Sequence, residues 1–345
     1  MKYSLYIFSF LLFYGCESIN RIEPIIVTQT VPHDSDDPAI WIHPEDPSQS
    51  LILGTDKDEL DGGVYAFDLE GNKLDSLSVR GVQYPNNIDV EYGFMWGDSL
   101  IDIAVSSERE AGKIRVCSLP DLKLIDQGGF EVFEGEKASY RRPMGIALYK
   151  NPALDRIEVF VSRKEGPAEG YIGHYFLSSD STGNLSLTKI QNMGAFVNDG
   201  RGEIEALVVD DKKGRLYYSD ESCCIRVYNI KEGDYSVIGT FGQTDFREDR
   251  EGIALLHNTK GPDKLIISDQ QEHAFNIYSL GQDGLPMGAP KRVYLSTRET
   301  DGCDLTPLAL PGFSNGLFVA MSDDATFHYY DLEEVLEGNK ERVEE

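Results

Sequence analysis

Hydrophobic and polar residues alternate along this chain in short runs, each closed by a turn rich in glycine or acidic residues. In the stretch after Gly63, Val64, Ala66 and Asp68 fall on one face, and Tyr65, Phe67 and Leu69 on the other. That two-residue period is the signature of a β-strand. A larger unit, a strand entering a polar turn and leaving as a second strand, recurs six times. It reads LILGTDKDELDGGVYAFDLEGN from Leu51, IDIAVSSEREAGKIRVCSL from Ile101, RIEVFVSRKEGPAEGYIGHYFL from Arg156, GRLYYSDESCCIRVYNI from Gly214, DKLIISDQQEHAFNIYSL from Asp263 and GLFVAMSDDATFHYYDL from Gly316. Successive starts lie 50, 55, 58, 49 and 53 residues apart. An all-strand repeat of this size predicts four-stranded blades, and six copies predict a six-bladed β-propeller.

Before each hairpin lies a second matched segment: DDPAIWIHP, NNIDVEYGF, RPMGIALYKNP, EIEALVVDD, REGIALLHN and DGCDLTPLAL. Propeller topology makes these the innermost strands, lining a central channel. A fourth strand follows the hairpin, as KLDSLSVRG does in the first unit, but the last unit lacks one before the chain turns charged. PIIVTQT at 24–30 is a spare β-rich run at the opposite end, placed to supply that outer strand and leave no open edge. The expected class is therefore all-β, one propeller over 23–335 closed by an N-terminal strand, with a charged C-terminal tail at 336–345.

The first residues follow another logic. Lys2 precedes an apolar stretch from Leu5 to Tyr14, too short to span a bilayer and laid out like an export signal. It ends at Gly15-Cys16, which resembles a bacterial lipoprotein cleavage box. Residues 1–15 are then a signal peptide cleaved before Cys16, and 16–22 a tether. This implies an exported, membrane-anchored lipoprotein, periplasmic or at the cell surface, that meets the membrane only through lipid; the alternative is plain secretion with Cys16 as an unused cysteine.

Composition narrows the chemistry. With 59 acidic against 32 basic residues, the 345-residue chain has a net charge of −27. Such a field repels a nucleic-acid backbone, so no nucleic-acid partner is expected. Cys117, Cys223, Cys224 and Cys303 show no zinc-like spacing, and adjacent Cys223 and Cys224 are poorly placed to bridge each other; all four read as small buried hydrophobes. The six histidines are dispersed, and no G-x-S-x-G elbow occurs, so nothing points to a side-chain nucleophile.

Two polar rings emerge when the repeats are aligned. Asp37, Asp89, Met144, Glu205, Glu251 and Asp301 or Asp304 open the inner strands. Clustered carboxylates repel one another unless a cation is bound, and all-oxygen ligation favours a hard ion such as Ca²⁺. The turn after each following strand forms the second ring: Thr55-Asp56-Lys57, Ser107-Glu108-Arg109, Ser162-Arg163-Lys164-Glu165, Ser219-Asp220-Glu221, Ser268-Asp269-Gln270 and Ser322-Asp323-Asp324. Units one to three contribute cations and units four to six acids and amides. Lys57, Arg109 and Lys164 opposite a calcium-loaded acidic ring suit a phosphate ester, with Arg able to grip oxygens bidentately.

At these residues the chain resembles the β-propeller phytases, six-bladed Ca²⁺-dependent phosphatases that hydrolyse myo-inositol hexakisphosphate. The resemblance rests on DDPAIW at 36–41, NNID at 86–89, ALY at 147–149, the KEG of SRKEG, Glu205, REGI at 250–253 and TDGCD followed by GLFV. It runs through nearly the whole propeller. It implies Lys57, Arg109, Lys164, Glu165 and Glu205 as catalytic, and Asp37, Glu165, Glu205, Asp220, Glu221, Glu251, Asp301 and Asp304 as ligands of several Ca²⁺ ions. The implied reaction is attack by a metal-activated water on one phosphate, without a phosphoenzyme, in a monomer that takes inositol hexakisphosphate as its calcium complex. Met144 stands where many members carry a tyrosine, and Asp220 where a glutamate is usual. Two rivals remain: a lactonase-like Ca²⁺-dependent propeller hydrolase, and a surface-tethered propeller with no catalysis.

Overall fold

The computed structural model describes residues 20–197, 200 and 202–339, so the segment expected to be a signal peptide, Cys16 and the last six residues lie outside it. Its strands form six separate sheets, and the predicted inner strands and hairpins fall in register with them. Blade one is Ser35–Trp41, Leu51–Asp56, Gly62–Phe67 and Lys73–Val82. Blades two to five open on inner strands Ile88–Trp96, Pro143–Asn151, Leu207–Asp210 and Arg250–Leu256. Blade six contributes Cys303–Thr306, Leu317–Ser322 and Thr326–Asp331. Its outermost position is taken by Ile26–Val27, which pairs antiparallel with the last of these. A short helix, Leu332–Glu337, follows, capped by the Asp331 carboxylate on the Glu334 amide. It buries Leu332 and Val335, and beyond it Asn339 hydrogen-bonds Tyr294 and the Asn20 carbonyl.

Alternation along each strand gives every sheet two apolar faces, and each packs against a neighbour. The core accordingly divides into six clusters, each drawn from two adjacent blades. Between blades two and three, for example, Phe94, Ile103 and Val116 meet Ile146, Val159 and Tyr175. Trp41 is 1% exposed and carries a polar handle across its seam, the indole N–H donating to Asp102 Oδ2 at 2.9 Å.

Repeated polar contacts reinforce the seams. Thr55, Ser162, Ser219 and Ser268, each near the end of a second strand, donate a hydroxyl to a backbone carbonyl at the head of the next blade's inner strand. Deeper in, Asp37, Asp89 and Asp304 accept the amides of Ile88, Leu148 and Ile40 at 3.0, 2.7 and 2.7 Å. These three carboxylates hold blade one to two, two to three, and six to one.

The cysteines depart from expectation at one point. Cys117 and Cys303 are free and buried, but Cys223 and Cys224 are joined by a disulfide. They sit in the turn closing the blade-four hairpin, where Cys223 N–H reaches Asp220 O and Cys224 faces Asp220 across the ladder.

Candidate active site

The turn after each blade's second strand divides its work among three positions. The first is the Ser or Thr that pins the seam in blades one, three, four and five. The second turns back into its own blade. Asp56 accepts Asp34 N–H and His33, Glu108 accepts Gln83 N–H and meets Arg115, and Asp269 accepts Arg247 N–H and pairs with Arg292. Asp220 follows the same pattern, holding Val197 N–H at 3.0 Å and Arg226 at 2.7 Å. In blade three the slot is filled by Arg163, fully buried, donating to Tyr171 O and Gly170 O and lying 3.9 Å from the Phe133 ring centre. The third position supplies the site: Lys57, Arg109, Lys164, Glu221 and Gln270.

These side chains meet carboxylates from the heads of the inner strands. Lys57 Nζ lies 2.9 Å from Asp36 Oδ1 and pairs with Asp301, whose other oxygen accepts Gln270. Asn86 ties Asp36 to Glu205, donating at 3.1 and 3.4 Å. Lys164 Nζ lies 2.5 Å from Glu203 Oε1, and the Glu203 amide donates to Glu221 Oε2 at 2.9 Å. Carboxylate oxygens of Glu203, Glu205 and Glu221 fall within 4.8 Å of one another. Arg109 lies over the Tyr84 ring, 3.2 Å from its centre, and its Nη1 reaches Met144 Sδ at 3.3 Å. Beside Lys164 opens a cavity of about 480 Å³ lined by Tyr140, Tyr171, Phe196 and Glu203, with the exposed Glu165 on its rim.

Electrostatics mark the cluster as under-neutralised. Burial, with Asp36, Glu203 and Asp301 nearby, pushes the Glu205 carboxyl well above its ordinary range. Glu251 rises likewise through burial and the charges of Glu221 and Glu205. Burial and Glu203 push Glu221 up to about 8, and burial raises Asp301 to about 6 against the pull of Lys57. Burial works against the Lys57 charge, but Asp36, Asp301 and Glu205 overcome it and raise that ammonium's pKa.

Glu203 Oε2, Glu221 Oε1 and Glu251 Oε2 are buried without a hydrogen-bond partner. Unsatisfied buried oxygens are rare and costly. Two of them belong to Glu203 and Glu221, whose carboxylates gather with that of Glu205, and oxygens so placed among like charges fit a bound hard cation, which takes oxygen ligands in number.

Of the residues singled out in the sequence, Lys57, Arg109, Lys164, Glu205, Glu221, Glu251 and Asp301 lie in this region, with Glu165 at the edge. Asp37, Asp304 and Asp220 do not join them. Asp37 and Asp304 line a central cavity of about 50 Å³, fed by the inner strands of all six blades, because they face inward to the neighbouring amides. Asp220 is committed to Arg226. The residues missed were Asp36, Asn86, Glu203 and Tyr84. Asp36 was visible as the other half of an Asp-Asp pair, whose members point to opposite sides of an extended chain. Glu203 lies two residues before Glu205, on the same side.

A family model described as Phytase matches residues 20–330. The 3-phytase of Bacillus subtilis (strain 168) is 26% identical over 312 residues, covering 84% of this chain and 75% of that protein. Solved structures share the fold. A protein from Lactobacillus plantarum has a TM-score of 0.56 at 16% identity, covering 87% of this chain and 82% of its own. A putative 6-phosphogluconolactonase from Bacteroides uniformis has 0.52 at 14% identity, covering 86% and 81%.

Proposed function

The chain belongs to the phytase family, and from that premise we propose that it is a Ca²⁺-dependent phosphatase releasing phosphate from myo-inositol hexakisphosphate. The observation that carries this reading is the juxtaposition of Lys57, Arg109 and Lys164, from three successive blades, with a carboxylate cluster holding orphaned buried oxygens. The same reading takes residues 1–15 as an export signal and Cys16 as the lipid-bearing residue of a monomer.

Glu203, Glu205, Glu221 and Glu251 are the residues that would hold Ca²⁺, which when bound supplies charge neutralisation on the phosphate and acidifies a water. The chain's own part is positioning. Lys57 and Lys164 are kept protonated by Asp36, Asp301 and Glu203 and offer fixed positive charge to phosphate oxygens. The Arg109 guanidinium is a planar fork able to take two oxygens of one phosphate. A polyphosphate that engages both the cation arc and the acidic side through metal is oriented by groups remote from the bond that breaks. Asn86 links the arc to the acidic side, touching both Asp36 and Glu205.

The test is release of inorganic phosphate from inositol hexakisphosphate by the purified protein with Ca²⁺, alongside Lys164→Ala. Release by the wild type and a loss of at least 100-fold in the variant, on the order expected for removal of one preorganised charge, supports the reading. No release, or an unimpaired variant, ends it.

A further inference from the structure

We propose that Tyr84 is a positioning residue that fixes Arg109 for phosphate; the inference rests on the phosphatase reading above. Tyr84 lies in the Gln83–Asn87 connection between blades one and two. Its backbone is in the left-handed region, φ 56°, a conformation that a bulky residue adopts at a cost and glycine does not. Tyr84 N–H donates to Asp58 O at 2.8 Å and Tyr84 O accepts Arg109 N–H at 3.0 Å. That pair of contacts holds the strained residue between the turns that carry Lys57 and Arg109. The result is a ring whose face lies under the guanidinium, with Cζ 3.2 Å from the ring centre.

The partners of the three cations differ. Lys57 is paired with Asp36 and Asp301, and Lys164 with Glu203. Arg109 instead rests on a π face and a thioether, Nη1 to Met144 Sδ. Its nearest carboxylate, Glu110, lies 3.5 Å from Nε and also pairs with Arg142. A π face holds a guanidinium in place without cancelling its charge or occupying its N–H groups in the ring plane. Arg109 is 7% exposed, so its immobilisation is already complete before a ligand arrives, and little ordering entropy remains to be lost on binding. Strain kept where glycine would relieve it is the mark of a residue retained for its side chain.

The experiment compares Tyr84→Gly, Tyr84→Phe and Arg109→Ala with the wild type, in kinetics on inositol hexakisphosphate and in thermal unfolding. Glycine removes the ring and relieves the backbone, so its Tm is expected within about 4 °C of wild type. Its kcat/KM should fall about tenfold or more, the loss of a desolvated cation–π contact, chiefly through KM. Tyr84→Phe, which keeps the ring, should recover most of that loss. Wild-type kcat/KM in Tyr84→Gly overturns the proposal. So does a phenylalanine variant as impaired as glycine. If the wild type itself releases no phosphate, the phosphatase reading fails. The Tyr84 proposal is then decided by calorimetric titration of inorganic phosphate into the Ca²⁺-loaded protein. Weakening in both Tyr84→Gly and Arg109→Ala upholds it, and unchanged binding in Tyr84→Gly overturns it.

Discussion

Replacing Glu205 by Gln should stabilise the metal-free protein and weaken its response to calcium, two effects of opposite sign from one atom change. Glu205 is 9% exposed and shares its surroundings with Glu203 and Glu221, whose oxygens lie within 4.8 Å. Two unit charges at that separation repel by about 3 kcal/mol at an effective dielectric constant of about 20. At pH 8 without metal, the wild type either ionises Glu205 against its neighbours or keeps a proton that the unfolded chain would release. Either course costs about 3 kcal/mol or more, and glutamine, isosteric and neutral, avoids both. For a chain of this length that amounts to a rise of about 4 °C in Tm. Near pH 5 the unfolded carboxyl is itself partly protonated, so the gap should shrink below about 1 kcal/mol. With Ca²⁺ the order reverses, because the variant has lost a ligand and gains less from the ion. The assay is calorimetric unfolding of both proteins at pH 5 and pH 8, in chelator and in millimolar Ca²⁺. A variant that melts below wild type in chelator at pH 8 would refute the idea that the cluster is self-repelling.

Arg109→Ala should lower kcat/KM for inositol hexakisphosphate by at least about 100-fold with the fold intact, checked by kinetics beside circular dichroism. Asp220→Asn, by contrast, should lower Tm by a few degrees, since it loosens the Arg226 pair and the Val197 contact, while KM stays within about twofold; a selective collapse of activity would return Asp220 to the metal site. Activity should rise from pH 6 to pH 8, because Glu221, raised to about 8, must lose its proton before a cation can take its place; a profile flat across that window contradicts the ligand assignment. Metal-free stability runs the other way. Asp304 is raised by burial from 3.8 to about 6, so the stability its proton contributes is full below about pH 4 and is lost as pH rises through 6, a change of about 3 kcal/mol readable by denaturant unfolding in chelator.

Much of the architecture could be read from the chain because propellers write their repeat into it. Each hairpin and each inner strand was marked by its own alternation, and the Ser-Asp and Thr-Asp turns fixed their mutual phase. The same repetition misled at the site. Aligned acids look equivalent, yet Asp36 and Asp37 point to opposite sides of an extended chain, so one joins Lys57 and the other braces the channel. Asp220 aligned with the ligand ring, but its slot serves its own blade, as Asp56, Glu108 and Asp269 show, and the next position is the one that meets the carboxylates at the heads of the inner strands. Tyr84 had no signal at all. It stands in a connection outside the repeat, and its role depends on a left-handed backbone that composition does not reveal. The Cys223–Cys224 bridge was missed for a related reason, since sequence separation says nothing about how a hairpin turn presents two neighbouring thiols.

The most direct measurement is phosphate release from inositol hexakisphosphate at pH 7.5 by the purified protein, first with Ca²⁺, then with chelator, then with Ca²⁺ restored. The expected result is turnover in the first and third conditions and none in the second. Equal release throughout would remove calcium from the account, and none in any condition, from protein whose Tm rises with Ca²⁺, would leave a calcium-binding propeller without this activity.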